Sequence, residues 1–171
     1  STSNTQCRHG QATMGVDRTG RRDGAGALRA RREAIRLAPK DAPAHCNLGA
    51  ALNDKGDLAG AIASYKEAIR LDSKSVLAHY NLGVALSDKG DLAGAIASYK
   101  EAIRLDPKLA KAHFNLGIAL YGKGDLAGAI GSVREVIRLD PKDAAAHRYL
   151  GAAPSDKGDL AGAIPSYKKA I

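Results

Sequence analysis

The chain has 171 residues, 44% of them hydrophobic, and a formal charge of +8. Ala, Leu and Ile supply most of the apolar mass, aromatics are only 4% and Trp is absent, a mix that favours helices over strands. No run approaches the roughly 18 to 20 apolar residues of a membrane helix, and the opening STSNTQCRHG holds no apolar signal core, so neither a membrane span nor an uncleaved signal is expected.

Two cysteines, Cys7 and Cys46, are too few for a disulfide-built scaffold and read as separate free thiols. The basic excess sits towards the N-terminal end. Residues 1–41 carry nine Lys/Arg against four Asp/Glu, and residues 42–171 carry seventeen against fourteen.

In chain order, residues 1–7 form a tail or the remnant of a preceding unit, and 8–41 an eroded unit whose second half, GAGALRARREAIRLAPK, remains recognisable. Full units of 34 residues follow at 42–75, 76–109 and 110–143, and a truncated one at 144–171. The string DKGDLAGAIASYKEAIRLD stands unchanged at Asp54–Asp72 and Asp88–Asp106. Units 42–75 and 76–109 differ at seven positions, so recent duplication is the simplest origin.

Each unit reads as two helices. In 76–109 the first is expected over Leu77–Asp88, with Leu82, Gly83, Ala85 and Leu86 as its apolar stripe. Gly90 suits a left-handed stop and Asp91 an N-cap. The second is expected over Leu92–Leu105, with Leu92, Ala95, Ile96, Tyr99, Ala102 and Ile103 facing inward. Asp106-Pro107 ends it, because the residue before Pro avoids the helical region. A pair this short cannot bury its own apolar face, whereas stacking like neighbours can. Small residues at fixed slots (Gly49, Gly83, Gly117 and Gly151; Ala61, Ala95, Ala129 and Ala163) permit that stacking.

The period, the Leu-Gly pair, the Gly-Asp turn, Ala95, Tyr99 and Asp106-Pro107 together resemble the tetratricopeptide repeat (TPR) family. The likeness departs in having His at repeat position 4, where the family often has Trp, and Leu52, Leu86 and Leu120 where it often has Tyr. The resemblance implies an all-α, right-handed superhelical solenoid of helix-turn-helix repeats, with first helices lining a concave groove. It implies a non-catalytic scaffold for protein or peptide partners. The expected groove residues are Asn47, Asn81 and Asn115, whose amides can pair with a peptide backbone, and Cys46, Tyr80, Val84, Phe114, Ile118 and Tyr121 as apolar side chains on an open surface. The carboxylate clamp of chaperone-binding relatives is not expected, since Cys46 and Ala50 hold groove slots and only Lys111 is a plausible remnant.

Candidate chemistry is sparse. His45, His79, His113 and His147 recur on successive units about 8 to 10 Å or more apart, too far to converge on one ion with ligand bonds of about 2 Å. They read as half-buried rings in the Trp slot, with a mild pH effect on stability. No GxSxG, Walker loop, HExxH or paired CxxC occurs, so no catalytic residue, metal or cofactor is expected. An enzyme fragment of the kind in which a glycosyltransferase follows such an array lacks its catalytic residues here. Lys66, Arg70, Lys100, Arg104, Arg134 and Arg138 form a basic series on second helices. Glu67, Glu101 and Glu135 dilute it and no aromatics are interleaved, which argues against nucleic acid.

The last unit ends at Ile171 inside a second helix written like the others, with no polar cap. Three readings stay open: a piece of a longer array, a monomer with frayed ends, or head-to-tail stacking through Leu160, Ile164, Tyr167 and Ile171. The last would make the chain a filament subunit, the alternative to a scaffold. The compartment is open, cytoplasmic by default and extracellular for a filament. Pro154 and Pro165 replace helix-forming residues and are expected to kink or fray the last unit.

Overall fold

The computed structural model describes residues 24–152, all of whose regular elements are α-helices. These are α1 (Gly24–Leu37), α2 (Ala42–Asp54), α3 (Leu58–Leu71), α4 (Val76–Asp88), α5 (Leu92–Leu105), α6 (Ala110–Gly122), α7 (Leu126–Leu139) and α8 (Ala144–Ala152). First helices begin at residues 42, 76, 110 and 144 and second helices at 58, 92 and 126, so the 34-residue period of the sequence is carried into the backbone. Expected kinks at Pro154 and Pro165 and the stacking residues Leu160, Ile164, Tyr167 and Ile171 lie outside the described residues.

The turns show why each pair breaks where it does. Gly56, Gly90 and Gly124 have φ of 79, 87 and 83°, the left-handed conformation that favours glycine. The aspartate after the glycine then starts the next helix. Asp57 Oδ1 accepts from the Gly60 N–H at 2.9 Å, and Asp125 Oδ1 from the Gly128 N–H at 2.9 Å, which satisfies one orphan donor of each helix. At the other turn, Asp72, Asp106 and Asp140 accept from the N–H two residues on, at 3.0 Å each. Ser75 and Asp143 cap α4 and α8 through the Ala78 and Ala146 N–H groups.

The chain divides into two compact units, Ser1–Asp91 and Leu92–Ile171. In the first, α2 packs on α3, α3 on α4 and α1 on α2. Its core holds Leu52, Ala61, Tyr65, Ala68, Val76 and Ala78. Gly49 lies under the Tyr65 ring, where a methyl group on its Cα would stand 2.7 Å from a ring carbon. Asn81 of α4 approaches the Cys46 sulfur of α2 at 4.0 Å. Cys46 is 1% exposed and disulfide-bonded, which corrects the expectation of a free thiol; Cys7 lies outside the described residues.

In the second unit α6 packs between α5 and α7, and α7 on α8. Val133 takes the slot that Tyr65 and Tyr99 hold elsewhere, and it is fully buried. Val133, Val136, Ala146 and Leu150 form the α7–α8 core, flanked by Ala110, Phe114, Ile130, Ile137 and Tyr149. A methyl group at Gly117 would stand 2.8 Å from Val133 Cγ2 and 3.2 Å from the Ala129 carbonyl oxygen. The glycine of a first helix and the alanine of a second thus set how closely the two backbones pass.

Candidate functional site

The face expected to bind a partner belongs to the first helices, and the two units present it differently. In the first unit the expected groove residues are mostly closed. Cys46 is 1% exposed, Tyr80 and Asn81 are 7% exposed each, and Ala50 is buried as well. Only Asn47 and Val84 stay half-buried. The expectation of Cys46 and Tyr80 as open-surface apolar groups is therefore corrected. Exposure depends on neighbouring side chains as well as on slot, and these two fill space against other residues.

In the second unit the corresponding face is open. Ile118 is 43% and Tyr121 44% exposed, and among the described residues Leu37 is the other large apolar side chain so open. Lys111, Phe114, Ile118 and Tyr121 follow at spacings of three and four residues and so line one stripe of α6. Tyr149 of α8 braces that stripe. Its ring meets Phe114 edge-on at 5.9 Å and Tyr121 at 6.1 Å, with interplanar angles of 66 and 77°. Its hydroxyl donates to the Gly117 carbonyl oxygen at 3.3 Å. Burial, and then the neighbouring Tyr121, push the Tyr149 phenol above its ordinary range. Asn115 is half-buried beside the stripe.

Sequence reasoning named Phe114, Asn115, Ile118 and Tyr121 and missed Tyr149. The signal was there: Tyr149 stands 34 residues after Asn115, an aromatic in the slot where three units have Asn. Likewise Arg148 stands in the slot of Phe114.

The histidines have a common structural task. Nε2 of His45, His113 and His147 lies 3.0 Å from the carbonyl oxygens of Pro39, Pro107 and Pro141, and that of His79 3.2 Å from Ser73 O. A carbonyl only accepts, so each Nε2 carries the proton and donates. Every ring thereby ties a first helix to the turn before it. His147 is buried, and its Nδ1 has no hydrogen-bond partner among the described residues. Among the described residues no three His, Cys, Asp or Glu gather as a metal site would require.

The basic series on the second helices is largely committed. Arg36, Arg70, Arg104 and Arg138 pair with Glu33, Glu67, Glu101 and Glu135 one turn earlier at 2.6–2.7 Å. Hydrogen bonds from the guanidinium hold the Glu33, Glu67 and Glu135 carboxyls below the usual range. Among the described residues no helix is long and apolar enough to cross a membrane.

Helix pairs at a fixed period, left-handed glycine turns and a first-helix face define the class: an all-α helix-turn-helix repeat protein. Family profiles agree. One described as TPR repeat matches residues 49–90 and 85–124, and one described as tetratricopeptide repeat matches 114–171. The chain belongs to the tetratricopeptide repeat family, and membership supports a protein–protein interaction scaffold.

Solved structures are similar. MamA is 30% identical with a TM-score of 0.81, covering 86% of each chain. MamA from Desulfovibrio magneticus RS-1 is 25% identical with a TM-score of 0.79, covering 86% of this chain and 83% of its own. YrrB, described as a TPR protein with an unusual peptide-binding site, shares the fold at 23% identity and a TM-score of 0.76, covering 84% of this chain and 74% of its own. No curated protein matches the chain.

Proposed function

We propose that this chain is a non-catalytic interaction scaffold whose first helices hold an extended peptide or a partner's extended segment. The observation that carries the reading is the open α6 stripe. Ile118 and Tyr121 stand out to solvent, backed by Phe114 and Tyr149, whereas in the first unit their slots hold the buried Ala50 and the half-buried Val84, Asn53 and Ser87. Exposed apolar side chains on an otherwise well-packed fold mark a surface that another molecule covers. The Asn115 amide offers a donor and an acceptor to a peptide backbone beside it. Asn47 and Val84 are the accessible candidates in the first unit.

The test is selection of binding peptides from a random displayed library, followed by affinity measurement on variants. Ile118→Ala with Tyr121→Ala removes two anchors, each worth about 1–2 kcal/mol when covered, so affinity should fall by at least about tenfold with the helical fold retained. Selected peptides that bind this double variant as well as the parent would overturn the reading. End-to-end stacking, the alternative expectation, rests on Leu160, Ile164, Tyr167 and Ile171, which lie outside the described residues, and no observation favours it.

A further inference from the structure

The charge around the open face of the second unit is one-sided. Neither α6 (AKAHFNLGIALYG) nor α8 (AAAHRYLGA) contains an acidic residue. Lys111, which begins the α6 stripe, and Arg148, which precedes Tyr149, are both exposed, and neither forms an ion pair among the described residues. The acids of this unit that lie among the described residues of its turns and second helices are occupied elsewhere. Glu101 and Glu135 pair with Arg104 and Arg138. Asp106, Asp125, Asp140 and Asp143 accept backbone N–H groups at turns and caps. First helices of the other unit are written differently: α2 and α4 carry no Lys or Arg and end on Asp54 and Asp88. Uncompensated cations and uncovered apolar groups thus coincide on one face.

We propose that the α6–α8 face takes an extended segment in which apolar side chains alternate with side-chain carboxylates. It rests on the reading of this face as a peptide site and adds the chemistry of the occupant. The apolar groups cover Ile118 and Tyr121, and the carboxylates meet Lys111 and Arg148. From Lys111 to Tyr121 the helix rises about 15 Å at 1.5 Å per residue, which an extended strand at about 3.3 Å per residue spans with about five residues. Successive side chains of such a strand point to opposite sides, so its apolar groups can cover Ile118 and Tyr121 while its carboxylates turn to the rim, where the long side chains of Lys111 and Arg148 are exposed. No chain terminus is needed, because both cations are on the open rim. Single-stranded nucleic acid is disfavoured: the Phe114 and Tyr121 rings are already engaged edge-on with Tyr149, and Ile118 offers no stacking face.

The experiment is fluorescence anisotropy of the full chain with three dye-labelled, C-terminally amidated peptides of about twelve residues. In each, Leu and Phe alternate with Glu, Gln or Lys, and a uridine oligonucleotide of like length is a fourth probe. The Glu peptide should bind about 2- to 30-fold more tightly than the Gln peptide, the gap narrowing as salt screens the pairs. Lys111→Glu with Arg148→Glu should reverse the order of the Glu and Lys peptides without lowering the melting temperature, since both residues are exposed. Equal binding of the Glu and Gln peptides, unmoved by charge reversal but lost in Ile118→Ala with Tyr121→Ala, would overturn the acidic preference and leave the peptide face standing. Failure of all three peptides to bind would overturn both. Tighter binding of the oligonucleotide, abolished by the charge reversal, would overturn the choice of partner.

Discussion

Adding one methyl group at Gly117 and one at Gly131 should move stability in opposite directions. Both glycines lie in helices of the second unit, and Gly→Ala in a helix interior is worth up to about 1 kcal/mol in propensity alone. At Gly131 a Cβ meets nothing within 4 Å, so that gain should appear nearly whole, as about 0.5–1 kcal/mol of stabilisation. At Gly117 the Cβ would stand 2.8 Å from Val133 Cγ2 and 3.2 Å from the Ala129 carbonyl oxygen. Carbon atoms prefer about 3.5–4.0 Å, so the shortfall is close to an ångström. Val133 cannot yield it: it is fully buried and β-branched, hence stiff at χ1. The helices α6 and α7 must separate, at the usual overpacking cost of about 1–3 kcal/mol. Net of propensity, Gly117→Ala should destabilise by about 1–2 kcal/mol. Adding Val133→Ala should remove the clash, so the double variant should lose less than the two single losses together. Urea unfolding followed by far-UV circular dichroism reads the three single variants and the double variant against the parent. Repeat arrays need not unfold in one step, so hydrogen exchange of α6 and α7 amides should accompany it. If Gly117→Ala stabilised the chain as Gly131→Ala does, close backbone passage would not be what glycine supplies here.

Further predictions concern the turns and the core. Gly124→Ala forces a Cβ into φ of +83° and should cost about 1–2 kcal/mol, with Gly124→Asn costing less, by the same unfolding assay. Asp125→Ala removes the acceptor of the Gly128 N–H and should cost about 1 kcal/mol, while Asp125→Asn recovers most of it. Burial, and then Asp54, push the Tyr65 phenol well above its ordinary value of 10. A raised folded pKa gives stability that is complete below the unfolded value and is lost as pH rises towards the folded one. Stability should therefore fall above about pH 10, and Tyr65→Phe should flatten that fall; an unchanged alkaline profile would count against a buried, neutral phenol.

Much of the fold was legible because the repeat makes local rules agree at every copy. Leu92–Leu105 was readable from the apolar spacing and from Asp106-Pro107, and α4 starts one residue earlier than read because Ser75 takes the cap. The glycine slots were readable as close approaches, but not what they approach: Tyr65 over Gly49 and Val133 over Gly117 are relations between helices. The candidate site was legible only by slot. Slot equivalence put Tyr80 and Phe114 on one footing, yet one is buried and the other half-buried, since burial depends on what the neighbours place there. Tyr149 escaped notice because it departs from the pattern that made the other positions visible.

The histidine ties bear on how the chain is made. Each links residues only six apart, and within each unit every helix packs mainly on the one before and the one after it. Little needs to wait for a distant segment, the circumstance in which chains fold fast. As the polypeptide leaves the ribosome, each new first helix is tied to the turn before it by its own histidine and finds its partner already present, so packing can keep pace with synthesis and leave little apolar surface waiting at any moment.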